Sequence, residues 1–268
     1  MRLLIDAGNS TVAVALADGP ALVSTARRPI ADAADPDRLS AALSTTLGGE
    51  ALDPSALDAI VFASVVPTAT SATAALAARF RLDLVVAGPA TIPIEVRVAR
   101  PAEVGPDRLV NAFAAARLHG VPAVVVDVGS ATTWECVDAE GAFVGGASAP
   151  GLRLGLDALA ERTALLPRVS LDLPDHAIGT DTVGAIRSGT VLGHAELVAG
   201  LTRRIVAELA ARSGVRPAEV RTVLTGGLSA TPWAETVPGF GVRDPDLTLR
   251  GLALLPAPVV AATPTRAR

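Results

Sequence analysis

The chain has 268 residues, 50% hydrophobic and 19% charged, with a formal net charge of −4. That length buries a real core, in one large domain or two small ones, and 27 acidic against 23 basic residues leave no excess for a nucleic-acid partner. Every basic residue is arginine, and the absence of lysine excludes a Walker A loop, a protein-kinase lysine, a pyridoxal enzyme and a Schiff-base aldolase.

Leu3–Ile5 reads as a short buried strand closed by Asp6-Ala7-Gly8-Asn9-Ser10. Thr11–Leu16 resumes as a second strand, and Asp18-Gly19 signals a turn. Residues 37–48 read as a helix, Ala59–Val66 as a buried strand ended by Pro67, and Ser71–Phe80 as an alanine-rich helix. Leu82–Val86 follows as a strand and Pro106–Leu118 as a helix. Pro122–Val126 is an apolar strand closed by Asp127-Val128-Gly129-Ser130. Thr132–Val137 is its partner, with a turn at Glu140-Gly141 and a further strand to Val144. Leu152–Arg162, Thr182–Arg212 in two pieces, and Pro217–Val220 read as helical. Arg221–Leu224 is a strand running into Thr225-Gly226-Gly227. A short helix over Ala230–Pro238, a last one over Leu247–Leu255 and a frayed tail from Pro256 complete the chain. Strands alternating with helices give an α/β class.

The single cysteine, Cys136, excludes internal disulfides and cysteine-cluster zinc sites. His119, His176 and His194 are too scattered for a spaced metal motif. Asp6 comes too early for the apolar core of a signal peptide, and there is no run of 18 apolar residues. A cytoplasmic protein with no membrane partner is expected.

One internal echo outweighs these boundaries. LLIDAGNSTVAVALADG at 3–19 is similar to VVVDVGSATTWECVDAEG at 124–141, with Asp6 on Asp127 and Gly8 on Gly129. Each copy reads strand, Asp-x-Gly turn, strand, turn, strand. Two related domains facing each other across a cleft are the expectation.

The chemistry of that turn suits phosphate. Glycine lets a phosphate approach the backbone, and turn amides bind anions. The Ser10 and Thr11 hydroxyls add donors. An aspartate at the strand tip is no phosphate ligand by itself, but it suits Mg²⁺, directly or through water. Alone, an Asp-Gly hairpin is an ordinary turn. Two copies plus Thr225-Gly226-Gly227 make a triphosphate clamp the better reading.

Over nearly its whole length the chain resembles type III pantothenate kinases, of the acetate and sugar kinase/heat-shock ATPase/actin superfamily. The resemblance rests on IDAGNS at 5–10, ASVVP at 63–67, IPIEV at 92–96 and PAEVGPDRLVNAFAA at 101–115. It continues in DVGSATT at 127–133, GGASAPGL at 145–152, GTDTVGAIRSG at 179–189, LTGG at 224–227 and DPDLTLRGL at 244–252. Gly105-Pro106-Asp107-Arg108 is its most specific segment.

The resemblance implies two similar ribonuclease H-like domains, with mixed sheets flanked by helices, facing across a nucleotide cleft. Residues 1–118 would carry the first phosphate loop and 119–268 the second. The implied reaction is ATP-dependent phosphorylation of pantothenate to 4′-phosphopantothenate, the first step of coenzyme A synthesis. Asp6, Ala7, Gly8, Asn9, Ser10, Thr11, Val12 and Ala13 would form the ATP phosphate loop, with Asp6 near Mg²⁺ and Ser130 also touching ATP. Gly105, Pro106, Asp107 and Arg108 would line the pantothenate site, with Val98 and Thr182 contacting substrate. Asp107 would be the general base, and Asp127 would bind a monovalent cation, K⁺ or NH₄⁺. A homodimer, with the substrate site near the subunit interface, is implied too.

These roles agree with elementary chemistry. A primary alcohol needs only a carboxylate to accept its proton. Arg108 can pair with a phosphate or with the pantothenate carboxylate. A fixed K⁺ would supply charge where lysine is missing. Asp107 is otherwise an ordinary helix N-cap or first-turn acid. His119 reads as structural, Trp134-Glu135-Cys136 as core, and Arg203-Arg204 as a solvated helix face.

Four positions depart from the family's usual residues. Val98 stands where tyrosine is common, Glu135 where aspartate is, and Ser10 and Ser130 where threonine is. The serines keep their hydroxyls; Val98 removes a hydrogen bond to pantothenate, and Glu135 alters the geometry near the cation. A kinase of another small alcohol or sugar, or a non-catalytic regulatory relative, are the alternatives.

Overall fold

The structure is a computed structural model and describes residues 1–46 and 54–256. The sequence-predicted tail beyond Pro256 and the last two residues of the predicted 37–48 helix lie outside the described residues.

The first sheet has five strands: β1 (Arg2–Ala7), β2 (Thr11–Asp18), β3 (Ala21–Pro29), β4 (Ala59–Ser64) and β5 (Asp83–Val86). Their order is β3-β2-β1-β4-β5, with β1, β4 and β5 parallel and β2 and β3 antiparallel. The second sheet repeats this plan with β6 (Ala123–Val128), β7 (Ala131–Val137), β8 (Phe143–Pro150), β9 (Arg221–Thr225) and β10 (Val242–Arg243). Its order, β10-β9-β6-β7-β8, is the same topology, with β6, β9 and β10 parallel. The internal echo is therefore a repeated ribonuclease H-like sheet, as expected. Strand β8 runs well past Val144, and β10 is a two-residue addition that carries no sequence signal of its own.

The period-two alternation of the central strands builds the core in layers. Leu3, Ile5 and Ala7 of β1 face one cluster with α1 (Pro36–Thr46) and α2 (Pro67–Phe80). Leu4, on the opposite face, joins a cluster that also takes Val125 and Val223 from the second sheet. Between the sheets lie α3 (Pro106–Leu118) and α7 (Leu247–Ala253), through Leu109, Phe113, Leu249 and Leu252. The outer face of the second sheet, Val124, Val126 and Val128, packs with α4 (Leu152–Arg162) through Leu152 and with α6 (Gly193–Ser213) through Val198 and Leu209.

Close approach of α3 and α7 requires Gly251, where an added Cβ would lie 2.6 Å from Val110 Cγ1. The last helix is tied back to the first strand by Arg2, which donates to the carbonyls of Leu255, at 2.7 Å, and Ala253. Proline at the first helical position starts both α2 and α3, where its missing N–H costs nothing. In α2 the helix therefore opens at Pro67, four residues before the predicted start.

Two expectations about helices change. Thr182–Arg212 is not broken: α5 (Thr182–Arg187) passes through a π turn at Ser188–Leu192 straight into α6. The 230–238 segment forms tight 3-10 turns at Gly227–Ala230 and Pro232–Thr236 rather than one helix.

Candidate active site

The two Asp-x-Gly hairpins end side by side. The Gly8 N–H donates to the Thr11 carbonyl at 3.0 Å, closing the loop between β1 and β2. The Gly129 N–H does the same to the Ala131 carbonyl at 3.0 Å, in a loop one residue shorter. The hydroxyls of Ser10 and Ser130 then meet across the gap at 2.7 Å. Gly151 backs the second loop: its N–H donates to the Ser130 carbonyl at 3.2 Å, and a Cβ there would lie 2.4 Å from the Gly129 and Ser130 oxygens.

Three carboxylates share the cavity between the hairpins. Asp6 comes from the end of β1, Asp127 from the end of β6, and Asp107 from the first turn of α3. Burial raises the Asp6 carboxyl to about 7, with the charges of Asp107 and Asp127 adding to the rise. Burial, then the Asp107 charge, raises Asp127 to about 6, against the Asn111 hydrogen bond, which holds it down. Such sites favour a cation.

Helix α3 contributes twice, because residues four apart share a face. Asn111 stands four residues after Asp107 and donates from Nδ2 to Asp127 Oδ2 at 3.0 Å. Thr248 of α7 donates to Asn111 Oδ1 at 2.7 Å, which fixes the orientation of the amide. Gly226, at φ +87°, lets the 225–227 turn press against Asp127; an added Cβ would lie 2.3 Å from Asp127 Oδ1.

The cavity is lined by Asp6, Gly8, Asn9, Ser10, Thr11, Ala13, Asp107, Asp127 and Ser130 among the sequence-predicted residues. Ala7 and Val12 are core residues, each 1% exposed. Gly105 is the N-cap of α3 and Pro106 its first residue, so Asp107 is a first-turn acid and not a cap. Val98 packs beside the core cluster, 3.9 Å from where a Cβ of Gly145 would be. Thr182 opens α5 as an exposed residue, capped by the Asp181 carboxylate, which accepts from the Gly184 N–H at 2.7 Å.

Arg108 does not line the cavity. Its Nε donates to Glu135 Oε1 at 2.9 Å and its Nη2 to the Trp134 carbonyl at 2.9 Å. Arg108 thus stands in an internal ion pair with Glu135. Glu135 is fully buried, and burial pushes its carboxyl up to about 8 against the pull of Arg108. The longer side chain of Glu135 reaches Arg108. Trp134 is core, as expected, with its indole N–H on Thr202 Oγ1 at 2.9 Å. His119 makes a structural contact, 3.3 Å from Asp244 Oδ2, and Arg203 and Arg204 are exposed.

Sequence reasoning missed Arg27, Asn111 and Thr248. The four-residue spacing from Asp107 could have found Asn111; nothing local marks the other two.

Residues 2–204 match the family model of type III pantothenate kinase. The chain belongs to that family. A type III pantothenate kinase of Thermomicrobium roseum is 43% identical over 256 residues, covering 94% of this chain and 95% of that one. One from Rubrobacter xylanophilus is 40% identical, covering 95% and 97%. Among solved structures, a ROK hexokinase from Thermus thermophilus aligns with a TM-score of 0.50 at 14% identity, covering 94% and 96%, a likeness of fold alone. None of these findings favours a kinase of another alcohol or a non-catalytic regulator.

Proposed function

We propose that this chain transfers the γ-phosphoryl group of ATP to the primary hydroxyl of pantothenate, with Asp107 as general base. The observation that carries the reading is that Asp107 shares one cavity with both Asp-x-Gly hairpins. Phosphoryl transfer asks mainly for positioning and charge stabilisation. The hairpin amides and the Ser10 and Ser130 hydroxyls hold the phosphates. The Asp107 carboxylate accepts the hydroxyl proton as the oxygen bonds to phosphorus, and ADP leaves.

A divalent metal accompanies ATP in this reading, and the donor set fits one. Asp6 and Asp127 are carboxylates whose proton affinity is raised by burial and by neighbouring carboxylate charge, so an oxygen-seeking cation relieves both. Among the described residues no three His, Cys, Asp or Glu side chains form a metal cluster, so phosphate oxygens and water would complete the shell. We take the metal as Mg²⁺, which Asp6 would hold directly or through water and which would neutralise phosphate charge there. Asp127 would hold K⁺ or NH₄⁺.

The proposal extends to the assembly. Residues 1–118 form the first domain and 119–268 the second, with α7 returning to the first sheet. A homodimer is supported by large apolar side chains left exposed: Leu165 at 91% and Ile178 at 83%. In this reading the substrate site, with Thr182 and Val98 among its residues, lies near the subunit interface. ATP as donor fits a cytoplasmic setting; no helix among the described residues is long and apolar enough to cross a membrane.

A coupled ADP-release assay with pantothenate, with and without K⁺, tests the reading. Pantothenate-dependent turnover that needs K⁺ or NH₄⁺ is expected. No turnover with pantothenate would refute the substrate, and full activity with Na⁺ alone would refute the monovalent-cation role of Asp127.

A further inference from the structure

We infer that Arg27 is a catalytic residue, its guanidinium contacting the γ-phosphoryl group of ATP as that group passes to the acceptor. The inference deepens the kinase reading and rests on it. Among the described residues that line the cavity, Asp6, Asp107 and Asp127 carry negative charge, and Arg27 is the only one that carries positive charge. A triphosphate adds further negative charge to that floor. In a chain without lysine, arginine has to supply whatever fixed side-chain cation the transition state meets.

The sheet register aims Arg27 at the site. Asp6 pairs with Ala13 across β1 and β2, and Ala13 pairs with Arg27 across β2 and β3. Residues opposite one another on neighbouring strands point to the same face. Asp6, Ala13 and Arg27 therefore form one cross-strand row, with the smallest possible chiral side chain in its middle. Ala13 itself lines the cavity, so the long arginine passes over it unobstructed. The Arg27 charge acts on both Asp6 and Asp127, lowering the proton affinity of each.

Arg27 is anchored on one side and free on the other. Its Nη2 donates to the Pro245 carbonyl and lies 3.1 Å from Asp246 Oδ1. The Asp246 contact is one of charge only, since Oδ1 is buried without a hydrogen-bond partner among the described residues. The Nε and Nη1 groups of Arg27 have no hydrogen-bond partner among the described residues, which leaves their N–H donors for phosphate oxygens. In the step itself, the acceptor oxygen bonds to the γ-phosphorus and the bond from phosphorus to the β,γ-bridging oxygen breaks. ADP departs with that electron pair, the hydroxyl proton goes to Asp107, and Arg27 meets the charge on the equatorial oxygens.

The test compares wild type, Arg27→Ala and Asp246→Asn. In Arg27→Ala, kcat should fall about 10²-fold. Guanidinium ion, added at concentrations that leave the melting point unchanged, should restore kcat at least about tenfold, since it replaces the missing group. Asp246→Asn should stay within about threefold of wild type, because the anchor is not the catalyst. Calorimetry without acceptor adds a readout independent of the substrate assignment: Arg27→Ala should lose about three- to tenfold in ATP affinity and keep its ADP affinity. Failure of guanidinium rescue, an equal loss in Asp246→Asn, or an ATP preference over ADP unchanged in Arg27→Ala would each overturn the inference. If Arg27→Ala does not fold, Arg27→Gln keeps the stem and a donor for Pro245; wild-type kcat and ATP preference in that variant would likewise overturn it. A wild type that binds ATP but ignores pantothenate would count against the substrate alone.

Discussion

Ser10 Oγ and Ser130 Oγ lie 2.7 Å apart, each at the tip of one hairpin and each from a different sheet. This contact joins the two repeats at the point where the phosphates of a nucleotide would enter. Both hydroxyls must then exchange each other for phosphate oxygens. Ser10→Ala and Ser130→Ala should each raise the KM for ATP about three- to tenfold, the worth of one hydrogen bond, and leave the pantothenate KM unchanged. Threonine at either position should behave as wild type. Initial-rate kinetics with each substrate varied in turn checks this; an unchanged ATP KM in both alanine variants would remove the serines from the phosphate site.

Asp107 stands in the first turn of α3, and its carboxylate reaches the same cavity as Asp6 and Asp127. Asp107→Asn keeps the shape and removes the base. Its kcat should fall about 10²–10⁴-fold while nucleotide affinity holds or rises, because one negative charge leaves the floor. Single-turnover kinetics alongside nucleotide titration separates the two effects. Turnover within a few-fold of wild type would exclude Asp107 as the base.

The repeat was legible because β1 and β6 carry the same Asp-x-Gly ending, and a tight turn with a nearby carboxylate is written locally. The Gly105–Arg108 segment was legible for the same reason. What escaped depends on register and on packing between elements distant in sequence. Arg27 reaches the site through a cross-strand row, and Thr248 reaches it because α7 folds back between the sheets. Arg108 turned inward because Glu135, 27 residues away, lies buried and needs a cation. No short motif records such pairings. The sequence reading ends β8 at Val144, just before Gly145-Gly146, since glycine weakens a strand signal. In the sheet, a Cβ at Gly146 would lie 1.6 Å from the Trp134 carbonyl oxygen, so glycine is required inside the strand.

Gly226 gives a prediction about shape alone. Its φ of +87° strains any L side chain, and an added Cβ would press on Asp127 Oδ1 at 2.3 Å and on the Val128 nitrogen at 2.7 Å. Both neighbours belong to a central strand that cannot yield. Gly226→Ala should cost about 2 kcal/mol or more of stability and displace Asp127, so activity should fall even in the folded fraction. Chemical denaturation with kinetics at matched folded concentration tests it. Wild-type stability would mean the 225–227 turn relaxes freely.

The acidic floor should also show in stability against pH. Asp6 is raised to about 7 and Asp127 to about 6, both from an ordinary 3.8. Each therefore binds its proton more tightly folded than unfolded. The sign follows: the folded state holds more protons, so stability falls as pH rises, beginning near the unfolded value and complete above the folded one. Buried Glu135, raised to about 8, adds to the same fall, so the ligand-free protein should melt lower at about pH 8 than at about pH 5, with the change spread over roughly pH 4–8. Asp6→Asn should flatten the fall and raise the melting point at the higher pH, while activity is lost. Mg²⁺ should flatten it in wild type, since a cation bound to the ionised carboxylates replaces the protons. Melting curves of wild type and Asp6→Asn, with and without Mg²⁺, decide the matter. A wild-type melting point that climbs between those two pH values would show that burial of these carboxylates is not the cost assigned to it. The same substitution raising stability while abolishing turnover would mark the cluster as held together for catalysis rather than for folding.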